Sequence, residues 1–222
     1  MITIGIDGCL GGWIAAVFED SKFFWRKVVK LNDLKSLLEI SELTLIDMPI
    51  GLLTTYRTGG RVCDQMARKL LPKHKKSSIF SAPPRSILHE NSYENCRNIL
   101  KQENGGISLQ SFHLLPKIRE VDDLIRANKK LKLLEAHPEL VFQNLGLTDA
   151  APNKKIKGGR SARLKILGEQ DLQFTWPPPM GFPKEDCIDA LALAIRTVQG
   201  NLETVDSNPV IDPHGISMQI HF

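Results

Sequence analysis

The sequence has few aromatic residues, no paired cysteines and no long apolar run. Its four cysteines are scattered without a CxxC motif, which favours the reduced thiols of a cytoplasmic protein and argues against a zinc site. No apolar run approaches the roughly 18 residues of a membrane span, and no signal-like segment opens the chain, so we expect no membrane partner. The three tryptophans are expected in the core, and they give no sign of a platform on which bases could stack.

What the sequence does contain is the composition of an ordinary globular protein. Hydrophobic residues make up 42% of its 222 residues and charged residues 24%, enough for a full core. The net charge of +4 is uneven: residues 57–76 hold seven Lys or Arg against one acid, and residues 154–165 hold six and no acid. Two such clusters fit a polyanionic substrate, although solvated helix faces would give the same pattern, and both interpretations stay open.

Three strands, a helix and a fourth strand are predicted at the start of the chain. The runs ITIGID, WIAAVF and FFWRKVV are rich in β-branched or aromatic residues and are separated by short turns, so they form an antiparallel meander. NDLKSLLEI follows with leucines on one helical face, and LTLID is an apolar strand that ends at Asp47. The intervening helix implies a crossover, so this strand is expected to run parallel to the first.

The middle of the chain is predicted to be a helical insertion. From about residue 51 to 128 the strand signals fade, and helical segments alternate with prolines, one of which (Pro116) is expected to kink or divide a long helix. LKLLEA then restores a strand that ends at Glu135, and the last helix carries DCIDALALA. This order predicts one α/β domain over residues 1–222 with an RNase H-like fold, in which helices flank a mixed five-stranded sheet.

Acidic residues stand at the ends of these elements. Asp7 ends the first strand, Asp47 the fourth and Glu135 the fifth, while Asp186 and Asp189 share one face of the last helix. The first and fourth strands of an RNase H-like sheet are neighbours, so we expect the acids to converge. Gathered carboxylates repel one another, and a fold that gathers them normally holds divalent cations; two Mg²⁺ or Mn²⁺ ions prefer such hard oxygen ligands.

Each acid also has a structural explanation. Asp7 precedes a glycine and could form a turn, Asp47 could cap the turn that follows it, and Glu135 could pair with a nearby histidine or lysine. Asp186 lies in the first turn of its helix, where the helix dipole favours an acid. Asp189 is the hardest to explain in this way, because apolar residues surround it and a buried acid needs a partner or a metal.

Several motifs in this sequence resemble a widespread prokaryotic family of unknown function, whose members are described as predicted nucleases of RNase H-like fold. The resemblance spans about residues 2–197 and is carried by GIDGCLGGW, IDMPIGL, RVCDQMAR, SIFSAPPR, SLQSFHLLPKI, EAHPELVF, GRSARL and DCIDALALA. The last motif is also similar to the final catalytic helix of RuvC resolvases, which usually have Glu where this chain has Asp47. These resemblances imply metal ligands at Asp7, Asp47, Asp186 and Asp189, with Asp7, Asp47 and Asp189 as catalytic residues. Glu135 matches the family motif but has no resolvase counterpart, and it is a catalytic candidate whose role stays open.

Charged residues within these motifs are candidate substrate contacts. Arg61, Asp64 and Arg68 would share a helix face, either as a phosphate clamp or as a solvent-facing, ion-paired helix. The second basic cluster supplies candidate contacts to the backbone of the scissile strand: Lys155, Arg160 and Arg163.

Together these features predict a divalent-metal-dependent nuclease that hydrolyses phosphodiester bonds of DNA or RNA with two Mg²⁺ or Mn²⁺ ions. Two other functions stay open. Sugar kinases and actin-like ATPases also begin with a strand ending in Asp-Gly, so DGCLGG could bind a nucleotide phosphate through backbone N–H groups. The chain could also be a non-catalytic module that binds metal and nucleic acid.

Overall fold

The chain divides into two compact units in the computed structural model, which describes residues 1–152, 154 and 157–222. The first unit comprises Met1–Met48, Lys129–Glu203 and His221–Phe222. The second comprises Pro49–Asn128 and Thr204–Ile220. The helical segment predicted at about 51–128 lies within the second unit, together with a late stretch of chain that carried no clear sequence signal.

A mixed five-stranded sheet forms the centre of the first unit. Strands β1 (Ile2–Cys9), β2 (Gly12–Glu19) and β3 (Lys22–Val28) form an antiparallel meander, and β4 (Leu43–Ile46) and β5 (Leu133–Glu135) continue the sheet in parallel with β1. The strand order is β3-β2-β1-β4-β5. The predicted α/β, RNase H-like fold is therefore confirmed, including the parallel pairing of the first and fourth strands.

Seven α-helices lie in the described part of the chain. None of them is long and apolar enough to cross a membrane. His137 is the N-cap of α5, and its side chain accepts a hydrogen bond from the Glu139 N–H at 3.3 Å. The helices are α1 (Lys35–Ile40), α2 (Val62–Leu70), α3 (Tyr93–Gln102), α4 (Leu109–Ala127), α5 (Pro138–Asn144), α6 (Lys157–Gly168) and α7 (Lys184–Gln199).

Helix α7 packs directly on the backbone of β1. Its residues from Cys187 to Thr197 are all buried, in keeping with the apolar run that surrounds Asp189 in the sequence. The contact is close because β1 has a glycine there: a Cβ at Gly5 would lie 2.1 Å from the Ala190 carbonyl oxygen and 2.2 Å from the Ala194 nitrogen. Only a residue without a side chain allows this approach.

The second unit is mainly helical, with a short hairpin of β6 (Val210–Ile211) and β7 (Ser217–Met218). Helix α4 runs through Pro116 as one helix, so of the two expected effects of that proline, a kink or a division, the division does not occur.

A buried ion-pair network joins the late stretch of this unit to its helical part. The Arg85 guanidinium donates to Asp122 at 2.8 and 2.9 Å and also to Asp212. Asp212 additionally accepts from the backbone N–H groups of Leu52, His214 and Ile216 at 2.8–3.2 Å. Burial opposes ionisation of Asp212, but the hydrogen bonds from Arg85 and the backbone outweigh it and lower its pKa.

Substituting Gly5 with alanine should destabilise the protein by roughly 3 kcal/mol or more, because the new methyl group meets backbone atoms that cannot rotate away. Urea unfolding measures the loss. Gly168→Ala is the matched control, because a Cβ at Gly168 would meet no atom within 4 Å. Equal unfolding midpoints for the two variants would contradict the described packing of α7 on β1.

Candidate metal centre

Asp7 and Asp47 lie side by side at one end of the sheet. Ile6 and Ile46 are paired in the parallel register of β1 and β4, and the Asp47 N–H donates to the Ile6 carbonyl at 3.0 Å. Asp7 and Asp47 each follow one of these paired residues. Because side chains alternate along a strand, Asp7 leaves the sheet on the same face as Gly5, which is the face covered by α7.

Helix α7 brings Asp189 to the same place. Asp189 directly precedes Ala190, whose carbonyl oxygen stands over Gly5 in β1. Its residue surface is only 1% exposed, and that of Asp7 is 8% exposed. Asp186, one helical turn earlier, is partly buried, and its charge also reaches Asp7. The four proposed metal ligands are thus brought together by β1, the end of β4 and the first two turns of α7.

The three aspartates influence one another's ionisation. Burial raises the pKa of Asp7 well above its usual value, and the charges of Asp47, Asp189 and Asp186 raise it further. Burial also raises the pKa of Asp47; His137 partly opposes this increase, and the charge of Asp189 adds to it. The pKa of Asp189 is raised by burial, although the ion pair with Lys154 opposes this. Three ionised carboxylates in this place are therefore costly without a compensating cation.

Lys154 supplies a positive charge to this group of acids. Its Nζ lies 2.5 Å from Asp189 Oδ2, and its side chain is 38% exposed while that of Asp189 is 2% exposed. Burial lowers the pKa of Lys154, but the ion pair with Asp189 and the charges of Asp7 and Asp47 outweigh it and raise the pKa above that of a free lysine. The ammonium group therefore stays charged.

The other oxygen of Asp189 is in an unusual position. Asp189 Oδ1 is buried, and no group in the described residues donates a hydrogen bond to it. Leaving a buried carboxylate oxygen without a partner is costly. Within the described ranges, no three His, Cys, Asp or Glu side chains form a preassembled metal centre. The donor set nevertheless fits Mg²⁺ or Mn²⁺, because both prefer carboxylate oxygens and because one such oxygen here lacks a donor.

Glu139, in the first turn of α5, is a further acid near the site. Its negative charge raises the pKa values of Asp47 and Asp189, after the larger effect of burial. Arg163 holds it: Nη2 lies 2.5 Å from Glu139 Oε1, and the guanidinium lies over the Phe142 ring at 5.2 Å. Sequence reasoning missed Glu139 because an acid in the first turn of a helix is expected from the helix dipole alone.

Glu135 lies elsewhere. It is paired in register with Ile46, which is paired in turn with Ile6, so its side chain leaves the sheet on the face opposite to that of Asp7. Its carbonyl accepts a hydrogen bond from the His221 N–H at 2.9 Å. The structure therefore does not bring Glu135 together with the aspartates, and the second glutamate of the EAHPE motif is the one near them.

The basic candidates of residues 154–165 have protein partners of their own. Arg160 is paired with Glu185 at 3.1 Å, and both side chains are more than one-third exposed. Arg163 is 1% exposed and, besides Glu139, contacts the carbonyl oxygens of Pro152 and Gly159 at 3.3 Å. Lys155 lies outside the described residues. Arg160 is thus the one member of the predicted set that the described structure presents at the surface.

The candidates around α2 lie in the second unit and have a different environment. Arg61 is the N-cap of α2, is 1% exposed, and its guanidinium donates to Asp64 at 2.7 and 3.0 Å. The same group donates to the carbonyl oxygens of Ile50 and Gly51. Asp64 also accepts from the Ala82 N–H at 3.1 Å. The pair is therefore ion-paired and buried, and does not face solvent.

Arg68, the third candidate of this set, is partly buried. Its guanidinium donates to the carbonyl oxygens of Ile79, at 3.0 Å, and of Gly59. These bonds tie α2 to the loops on either side of it, which is a structural role.

Asp7→Asn should raise the melting temperature of the metal-free protein at pH 8. Since the folded pKa of Asp7 is raised above the usual 3.8, its ionised form destabilises the fold above that raised pKa. Removing one like charge relieves on the order of 1 kcal/mol, or about 2–4 °C. The gain should decline as the pH falls through the raised pKa of Asp7, and vanish once both states are protonated.

Thermal unfolding in EDTA across a pH series measures this effect. Asp149→Asn is the control, because Asp149 belongs to the same unit and is exposed. An Asp7→Asn protein that is no more stable than the parent protein at any pH would contradict the electrostatic account of the site.

Comparison with known proteins identifies a family. The model of the family described as "Protein of unknown function (DUF429)" matches residues 5–210. No curated protein and no solved structure matches the chain. The matched range covers most of the sequence and includes all the acids of the site, and the membership predicted from the sequence motifs is confirmed. The chain belongs to the DUF429 family of proteins of unknown function.

Proposed function

We propose that the protein is a divalent-metal-dependent phosphodiester hydrolase that acts on DNA or RNA. The convergence of Asp7, Asp47 and Asp189 at one end of an RNase H-like sheet supports this function. Placing three like charges together, two of them on buried side chains, costs stability. Acids with pKa values perturbed in this way cluster at functional sites. The orphaned Asp189 Oδ1 supports the same conclusion, since it offers a buried oxygen to a cation.

In this proposal, the acids of the site have different roles. Asp7, Asp47 and Asp189 would hold Mg²⁺ or Mn²⁺, with Asp186 at the partly exposed side of the group. A bound cation would supply the activation of water and the stabilisation of charge on the leaving oxygen. Glu139 would add negative potential at Asp47 and Asp189, and the positive charge of its partner Arg163 would offset part of it at Asp189.

The positive charge of residues 154–165 supports a polyanionic substrate. Lys165 is 78% exposed on α6, and Arg160 is partly exposed on the same helix. Contacts from such residues go to phosphates and carry no sequence information, so we expect binding that weakens strongly with salt. Arg163 and the Arg61–Asp64 pair are left out of the proposed substrate contacts, because their charged groups are buried against protein partners.

Asp189→Asn and Asp7→Asn should each reduce metal-dependent cleavage of single-stranded and duplex DNA and RNA by roughly 10³-fold or more, since each removes a proposed ligand of the catalytic cation. The measurement is cleavage of end-labelled polynucleotides with Mn²⁺, Mg²⁺ or EDTA. Asp149→Asn should cleave like the parent protein.

Cleavage that survives in both variants, or that persists in EDTA, would contradict the proposed hydrolase. Cation binding without hydrolysis of any polynucleotide would favour the non-catalytic module instead. Saturable ATP binding with a thermal shift, and no cleavage, would favour a nucleotide-binding protein related to sugar kinases and actin-like ATPases.

A further inference from the structure

We propose that Lys154 is a built-in counter-ion that occupies the aspartate group until a divalent cation displaces it. This inference deepens the proposed function and rests on the proposed cation site. Lys154 would then set the cation concentration at which the site fills.

The ion pair is the first observation. Lys154 Nζ lies 2.5 Å from Asp189 Oδ2, so one oxygen of the most buried aspartate is already taken. Asp7 and Asp47 also interact electrostatically with the same ammonium. One positive charge thus interacts with three acidic side chains.

A lysine ammonium and a divalent cation compete for the negative charge of these carboxylates. The ammonium has three N–H donors and no lone pair, so it cannot become a ligand and only repels an incoming cation. Asp189 Oδ1 is buried and accepts no hydrogen bond from the described residues, which leaves it open to a cation. Full use of the Asp189 carboxylate, however, requires Lys154 to release Oδ2.

Release is possible for Lys154 and not for the nearby arginine. The Lys154 side chain is 38% exposed, and an ammonium on a flexible four-carbon stem can move into water. Arg163 is 1% exposed, and its guanidinium is held by Glu139 and by two carbonyl oxygens. The site therefore combines one fixed cation, which holds Glu139 in place, with one displaceable cation.

Calorimetric titration with MnCl₂, in the absence of nucleic acid, tests this exchange. Lys154→Met and Lys154→Gln should each bind Mn²⁺ about tenfold more tightly than the parent protein, because a repelling charge is gone. Lys154→Arg keeps the charge and should bind within about twofold of the parent. Lys130→Met, which removes an exposed lysine of the same unit, should also stay within about twofold.

Thermal unfolding gives a second, independent readout. Without metal, Lys154→Gln should melt below the parent protein, because the aspartates lose their counter-ion. Saturating MnCl₂ should then raise its melting temperature by more than it raises that of the parent. This comparison also detects a variant that does not fold, in which case the other neutral variant is used.

The outcomes separate this inference from the cation site itself. Mn²⁺ affinity that is unchanged or weaker in both neutral variants, with binding lost in Asp189→Asn, would overturn the counter-ion role and leave the site standing. Mn²⁺ binding by neither the parent nor the neutral variants would overturn the site and the inference together. Binding that appears only in the neutral variants would support the exchange.

Discussion

The contact of α7 with the backbone of β1 is the constraint on which the candidate site depends. A side chain at Gly5 would keep the helix away from the strand, and Asp189 would then no longer lie near Asp7. The parallel pairing of β1 and β4 adds Asp47 by register. The same packing that buries the apolar residues of α7 therefore also forces like charges together. The carboxylates that the candidate function needs therefore lower the stability of the fold.

Two positively charged side chains, Arg163 and Lys154, compensate part of this negative charge in different ways. Arg163 is buried and holds Glu139 through a short ion pair, so it belongs to the permanent structure. Lys154 reaches the aspartates from a partly exposed position and pairs with Asp189. A protein that only needed stability would gain more by replacing the acids with apolar residues than by pairing them. The proposed cation site would explain why the acids are retained here beside a partly exposed lysine.

Much of this fold could be predicted from the sequence, because its signals are local. Apolar strands, short turns and one crossover predict the order of the sheet, and an acid within the apolar run of α7 marks Asp189. Contacts between distant residues could not be predicted. Nothing local distinguishes Lys154 from its basic neighbours, and nothing reveals that Arg61 is buried. Glu135 was singled out because it ends a strand, yet only the register determines the face on which it lies.

Residues 204–220 likewise could not be predicted from local sequence signals. These residues have weak sequence periodicity. They are held in the second unit by Asp212, which pairs with Arg85, a residue far away in the sequence.

The central claim, that the aspartates form a cation site, is tested most directly by anomalous diffraction from crystals soaked in MnCl₂. We predict a manganese peak within about 2.5 Å of carboxylate oxygens of Asp7 and Asp189. A saturated soak with no peak there, and with Lys154 still on Asp189, would contradict the account.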